Sequence, residues 1–377
     1  MRLVRGFEGH DTCVPKNLPP TVSFDGPLIS ALSTADRALG QLAGIARTLP
    51  NPRLLIRSFI SREAVLSSRI EGTKTTLSDL FLFEITPSLE ETVPDVREVA
   101  NYVRALDHGR ERLRQIPLSL NLIRELHGIL LESVRGSDRH PGRFRRCQNW
   151  IGTSRHIEDA IYVPPPHERL SELLKAFERF VNTPNEVPLL VRLAMIHYQF
   201  EAIHPFEDGN GRVGRLLISL LLESERAIPH PVLYLSAYFE RHRTEYYEHL
   251  LDVSRQGAWS EWFQFFLRGV ADQSIDAVER ARQLFTLRDR WAAMCQTART
   301  SALLLKLLDG LFHNPFTNLA RATAWLEVQP QSAQNNINQL IKHGILEEIT
   351  GQRRNRIYAA REILRILEQT PAFDGMQ

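Results

Sequence analysis

Two apolar stretches with helical spacing flank a short segment dense in glycine and charge, and this juxtaposition constrains the chain more than any other feature. Before the segment, Leu189, Leu190, Leu193, Ile196, Phe200 and Ile203 recur on one helix face; after it runs the apolar stretch Leu216–Leu222. The segment reads His204-Pro205-Phe206-Glu207-Asp208-Gly209-Asn210-Gly211-Arg212-Val213-Gly214-Arg215. The pattern predicts a loop between two buried helices. Gly209 and Gly211 let the backbone take positive φ and come close to a ligand, so successive N–H groups form an anion-binding nest at the start of the second helix. Arg212 and Arg215 lie three apart on one face of that helix's first turn, where the helix dipole disfavours positive charge. An anion between them would relieve this conflict. Asp208 offers a hard oxygen for magnesium, His204 a base that titrates near neutrality, and Phe206 an anchor into the core.

Taken singly, each residue has an ordinary reading: a lone histidine is more often structural than catalytic, and Asp-Gly-Asn-Gly alone is a turn. In this order, however, the string resembles the signature of Fic-domain proteins, His-x-Phe-x-Asp/Glu-Gly-Asn-Gly-Arg-x-x-Arg, at every specified position. The resemblance implies a nucleotidyltransferase that moves AMP from ATP onto a protein hydroxyl. His204 would then be the general base, Asp208 would hold Mg2+ on the phosphates, and Asn210 with the amides of Gly209 and Gly211 would bind the phosphates. Arg212 and Arg215 would hold the leaving pyrophosphate end. Attack at phosphorus independently asks for a positioned hydroxyl, a base and preorganised positive charge. The Gly-x-x-x-x-Gly-Lys-Ser/Thr loop of kinase-like ATPases does not occur.

A second motif lies upstream, where Phe59 to Glu71 reads as a helix ending at Gly72, a residue suited to the left-handed conformation after a helix. Ser67 and Glu71 stand four apart on one face. Glu71 meets the negative end of its helix dipole and is unfavourable there without a cation, for which Arg215 is a candidate. Ser67-x-x-x-Glu71-Gly72 resembles the inhibitory motif of Fic proteins that carry their inhibitory helix upstream of the catalytic motif. The resemblance implies that Glu71 pairs with Arg215 and competes with the γ-phosphate of ATP. Some family members also remove AMP, with this glutamate orienting water, which leaves de-AMPylation open here.

Between the motifs, β-prone runs on either side of residues 152–156 read as a hairpin, stopped by Pro164-Pro165-Pro166. The corresponding flap of Fic proteins pairs with an extended segment of the target protein by strand addition. Arg241 and Tyr247 are the residues put forward for the adenine pocket, Tyr247 being equally suited to the core. With 377 residues, 43% hydrophobic, the chain has material for two or three domains, and a formal charge of +2 gives no general mandate for nucleic acid. Cys13, Cys147 and Cys295 are scattered, which points away from zinc or a disulfide framework and towards a reducing cytoplasm. The N-terminus has no apolar signal core and Leu303–Leu308 is too short to span a bilayer, so no membrane partner is expected.

The expected fold is mainly α. Residues 1–94 form an arm and inhibitory-helix region, 95–270 a Fic-type helical core with the flap near 147–163, 271–300 a helical connector, 301–365 a winged-helix domain and 366–377 a tail. Within the connector, Ile275, Val278, Ala281 and Leu284 form an apolar stripe. The winged helix follows from helices at Leu303–Leu308, Asn318–Leu326 and Ser332–Lys342, then strands at Gly344–Ile349 and Arg356–Ala359. Ile337, Leu340 and Ile341 would bury one face of its third helix, leaving Gln334, Asn335, Asn338 and Lys342 to reach base edges or a protein, and Arg353, Arg354 and Arg356 to meet phosphates. Six Lys or Arg against four Asp or Glu over 301–360 is a weak basic footprint, so DNA and protein contact, homodimerisation included, stay open. A protein adenylyltransferase restrained by its own helix is the first reading. The alternatives are a winged-helix regulator whose core binds nucleotide without transfer, or transfer of another phosphate-linked group such as UMP.

Overall fold

The computed structural model describes residues 2–5, 11–48, 53–91, 93, 95–152, 156–296 and 302–369. It opens with a hairpin, β1 (Arg2–Arg5) and β2 (Asp11–Val14), where the sequence suggested only an extended arm. There follow α1 (Gly26–Thr48), α2 (Arg53–Ile70), α3 (Leu77–Phe83), α4 (Val96–Leu113), α5 (Leu120–Leu130) and α6 (Leu170–Asn182). The central pair is α7 (Leu189–Ile203) and α8 (Asn210–Ser224), and α9 (Ser236–Arg241), α10 (Arg243–Gln256) and α11 (Trp259–Cys295) complete the main body. Both central helices are apolar nearly all round and are therefore enclosed, α8 by α4, α5, α7 and α2. On α4, Val96, Val99, Val103 and Leu106 are all buried, as their spacing indicates.

The expected connector is no separate segment. Helix α11 runs unbroken for 37 residues and lies against α1, whose Leu28, Ala35, Leu39, Leu42 and Ala46 form a buried stripe at heptad-like spacing. Along α11, Val278, Ala281 and Leu284 are buried but Ile275 is 39% exposed, because Ser274 and Ala277 occupy the inward positions on that turn. The boundary expected at 270 thus falls inside a helix. Residues 297–300 lie outside the described part.

The C-terminal unit consists of α12 (Ala302–His313), β3 (Phe316–Asn318), α13 (Leu319–Leu326), α14 (Pro330–Lys342), β4 (Glu347–Glu348), β5 (Ile357–Ala359) and α15 (Arg361–Glu368). Its strands form an antiparallel sheet in the order β3-β5-β4, with Phe316 and Glu347 both opposite Ala359. The strands are shorter than expected: residues 344–346 and Arg356 are not in the ladder. β3 is an addition, and α15 carries the unit past residue 365. On α14, Ile337 and Leu340 are buried with Asn336, whereas Ile341 is 37% exposed. The α-helical repeat puts 333, 336, 337 and 340 inward and leaves 341 at the edge. The tail from 370 onwards is outside the described residues.

This unit seats on the helix that carries the second motif. Ser58 of α2 donates from Oγ to the carbonyl of Phe312 at 2.8 Å, and Asn314 donates to the carbonyl of Phe81 at 3.0 Å and to Glu84 at 2.9 Å. Among the described residues, no helix is long and apolar enough to cross a membrane.

Candidate active site

Helix α7 ends at His204, which takes a left-handed conformation (φ 49°) while its N–H still bonds the carbonyl of Phe200 at 3.0 Å. For a residue with a Cβ this costs on the order of 1–2 kcal/mol, so surrounding bonds must hold it. They do. The guanidinium of Arg145 donates to the carbonyls of His204 (2.9 Å), Cys147 (3.0 Å) and Pro165 (2.6 Å), tying the loop to the chain on both sides of the flap. The amide of Arg145 bonds the carbonyl of Pro205 at 2.9 Å. The His204 ring sits with Nδ1 3.3 Å from the carbonyl of Glu201, which assigns the proton to Nδ1 and leaves Nε2 as acceptor. Burial, with the Arg145 charge adding to it, pushes His204 down to about 4, so its imidazole is uncharged at neutral pH.

The loop after His204 is shaped by its own side chains. Asn210 accepts from the Phe206 amide at 2.9 Å and donates to the Phe206 carbonyl at 2.8 Å. Its carboxamide is therefore engaged with the Phe206 backbone and shapes the loop. Phe206 is fully buried and stacks on His127 with centroids 3.7 Å apart. His127 in turn lies 3.0 Å from the Asp208 carbonyl through Nε2 and accepts from the Gly142 amide at 2.8 Å through Nδ1. Burial lowers His127 to about 4, in keeping with a neutral ring that donates at one nitrogen and accepts at the other. Gly209 caps α8 in the left-handed conformation (φ 77°) with no side-chain cap. The N–H groups of the first turn, from Asn210 to Arg212, thus have no intrahelical acceptor, the arrangement that suits an anion.

The two arginines part company. Arg212, 1% exposed, turns to Glu98 of α4, which also receives Arg135 at 3.3 Å. Each arginine has its own carboxylate, Glu98 for Arg212 and Glu71 for Arg215; local spacing could not reveal a partner 114 residues away. Arg215 turns to α2. It donates to the Ser67 hydroxyl and carbonyl, both at 2.9 Å, and to Glu71 at 2.6 Å. Gly72, at φ 96°, ends α2 and lets Glu71 face the cation. Burial alone would raise the Glu71 carboxyl, but the charge and hydrogen bond of Arg215 hold it below the usual range; Arg215 is raised correspondingly. Glu71 lies over Gly211, where a Cβ would collide with its carboxylate.

Between this latch and the flap is a cavity of about 540 Å³. It is lined by His204, Glu71, Arg215 and Gly211 together with Trp150, Ile151, Tyr247 and Leu250. Of the two adenine-pocket candidates only Tyr247 lines it, 41% exposed, while the core position belongs to Tyr246, whose hydroxyl is 2.7 Å from His197. Arg241 is absent from the lining: the break at His242 between α9 and α10 leaves it among Arg62 and Asp272, and Arg243 takes its place, 5.9 Å over the Tyr247 ring. The flap is not a regular hairpin. Among the described residues it is one antiparallel bridge, Ile151 to Tyr162, with a short 3-10 turn at Ile157–Asp159; residues 153–155 are not described. It is anchored from outside the β-prone runs, by Tyr162 donating to the Ala202 carbonyl at 2.8 Å and by the Cys13 amide of β2 bonding Val163 at 2.8 Å.

Asp208 accepts from the Gly209 amide at 2.6 Å through Oδ1, leaving Oδ2 as a hard donor. No cluster of three or more His, Cys, Asp or Glu side chains suited to a metal occurs among the described residues. A cation here would be held by one carboxylate and the ligand's own oxygens, the usual manner of magnesium. The candidate contact residues of the C-terminal unit lie far along the chain from this cavity and do not line it. Asn335, Asn338, Lys342, Arg353, Arg354 and Arg356 are exposed and Gln334 half-buried, with Gln334 bonded to Asn338 at 2.9 Å and Arg356 to the Gln352 carbonyl at 2.8 Å.

Residues 29–111 match the Fic/DOC family N-terminal region and residues 117–222 the Fic/DOC family domain. The chain is 33% identical over 208 residues to the protein adenylyltransferase Fic of Drosophila melanogaster, covering 54% of this chain and 38% of that protein. Against the protein of the same name from Aedes aegypti it is 34% identical over 157 residues, 41% of this chain and 27% of the relative. The chain thus spans less than half the length of these relatives. A Fic family protein from Desulfovibrio desulfuricans G20 has a similar fold over 91% of this chain and 98% of its own, with a TM-score of 0.59 at 19% identity. Fic-1 (residues 134–508) from C. elegans superposes over 69% of this chain and 75% of its own, with a TM-score of 0.52 at 24% identity.

Proposed function

Because this chain belongs to the Fic/DOC family, we propose that it is a protein adenylyltransferase, moving AMP from ATP to a Ser, Thr or Tyr hydroxyl, and that Glu71 restrains it. The observation that carries the reading is the Glu71–Arg215 contact of 2.6 Å in the lining of the cavity beside the nest and His204. A triphosphate in the cavity brings its phosphates to the first-turn amides of α8 and its terminal phosphate to Arg215, the cation Glu71 now holds. The attacking hydroxyl oxygen bonds the α-phosphorus, the bond to the pyrophosphate oxygen breaks, and the hydroxyl proton passes to Nε2 of His204. Preorganised amides and Arg215 stabilise the charge that builds on the phosphates. Asp208 would hold magnesium, which neutralises phosphate charge when bound.

The His204 lone pair is available because the imidazole is uncharged, and anionic phosphates alongside raise its basicity. The target segment lies along the flap, where Ile151 (38% exposed) and Ile161 (54% exposed) offer apolar purchase. The test is incubation of the purified chain with magnesium and ATP labelled at either the α- or the γ-phosphate. α-Label should become covalent on the chain or on lysate proteins, γ-label should not, and His204→Ala should abolish the transfer. Absence of α-label even in Glu71→Gly would overturn the proposal and favour a core that binds nucleotide without transfer.

A further inference from the structure

Helix α8 carries a second glycine on the face that receives Glu71. Gly214 lies three residues after Gly211, at a position that the Arg-x-x-Arg spacing leaves unspecified, and a Cβ there would collide with Oε1 of Glu201. The two glycines therefore seat two carboxylates in succession along the helix, Glu71 over Gly211 and Glu201 over Gly214. Arg215 flanks both. Glu201 lines the cavity, yet its Oε1 is buried without a hydrogen-bond partner, whereas Glu71 has the arginine. A buried acceptor without a donor is costly and calls for a role. The groups facing it are Arg215 of α8 and Glu71 of α2, Tyr246, Tyr247 and Arg243 of α10, and His197 and His204 at the end of its own helix.

We propose that Glu201 is a second counter-ion for Arg215, seated to take up the guanidinium charge whenever Glu71 withdraws and no phosphate has replaced it. Arg215 is 2% exposed, and a charge so enclosed is not left unmatched. With Glu71 in place there are two acids for one arginine, and burial, with Glu71 adding to it against Arg215, pushes Glu201 up to about 7. Near pH 7 Glu201 then carries a proton about half of the time. When Glu71 leaves, Glu201 gives its proton to solvent and pairs with Arg215; when a terminal phosphate takes Arg215, Glu201 recovers a proton. Glu201 is thus a positioning residue: it keeps Arg215 in place through states that lack a γ-phosphate, such as after pyrophosphate departs.

This inference rests on the transfer reading, and its test separates the two. In Glu71→Gly, ATP binding followed by titration calorimetry at pH 7 in buffers of different ionisation enthalpy should show proton uptake. Adding Glu201→Gln should remove that uptake and tighten ATP binding by about fivefold, since ATP then displaces no competing carboxylate. Glu201→Met, a second uncharged variant of similar length, should do the same. If Glu71→Gly binds ATP and labels itself while the Glu201 variants keep both affinity and proton uptake, the role of Glu201 is overturned alone. If Glu71→Gly neither binds ATP nor labels itself, both readings fall.

Discussion

At the residue scale, the site depends on side chains that never reach the ligand. His127 carries the Asp208 carbonyl on one nitrogen and the Gly142 amide on the other while stacking on Phe206. Its loss opens a cavity and orphans buried backbone groups, so His127→Ala should cost about 2–4 kcal/mol in denaturant unfolding and slow labelling. His127, His197 and His204 are all held low by burial, to about 4, 3 and 4. In the unfolded chain each binds a proton below about 6.5, whereas the folded chain does not. Stability should therefore fall as pH drops from about 6.5 towards 4, by up to about 1.4 kcal/mol per pH unit for each ring. A flat stability profile over that window would contradict the neutral assignments. The motif from His204 to Arg215 was legible as a nest with a base beside it, because that reading is local. Arg145, Glu98, Glu201 and His127 were not, since each acquires its meaning from partners brought close only by folding.

At the element scale, the C-terminal end of α2 holds Arg215. Its last turn offers Arg215 three acceptors, of which Glu71 is one and Ser67 supplies two. Ser67→Ala removes the hydroxyl and keeps the carbonyl and Glu71. A hydrogen bond to a charged group is worth about 1.5–3 kcal/mol, so self-labelling by Ser67→Ala should lie between that of the wild type and Glu71→Gly. Rates for Ser67→Ala above those of Glu71→Gly would mean the hydroxyl, not the carboxylate, is the main restraint. Helix periodicity gave α7 to the residue and the buried face of α4. It could not show that the core read up to 270 and the connector read from 271 meet inside one helix, Trp259–Cys295, because a continuous helix and a broken one have the same local pattern. The flap differs for another reason: among the described residues its β-prone runs share one bridge, Ile151 to Tyr162, and are otherwise fixed by bonds to Ala202, Arg145 and β2.

At the scale of the whole molecule, the C-terminal unit is packed onto the body. Ser58 and Asn314 bond across α2, α3 and α12, and Arg280 of α11 donates to the carbonyls of Ile366 and Gln369. A unit held by buried bonds on several sides unfolds with its support, so calorimetry should record one transition whose calorimetric and van't Hoff enthalpies agree. Two separated transitions would show that the packing is loose.

On the proposed function, Glu71 withholds Arg215 from ATP. The most direct measurement is ATP affinity and self-labelling rate of Glu71→Gly against the wild type, in magnesium with α-labelled ATP. Binding should be tighter and labelling faster by about tenfold or more, since the triphosphate no longer displaces a buried ion pair. Equal affinity and equal rates in the two proteins would contradict it.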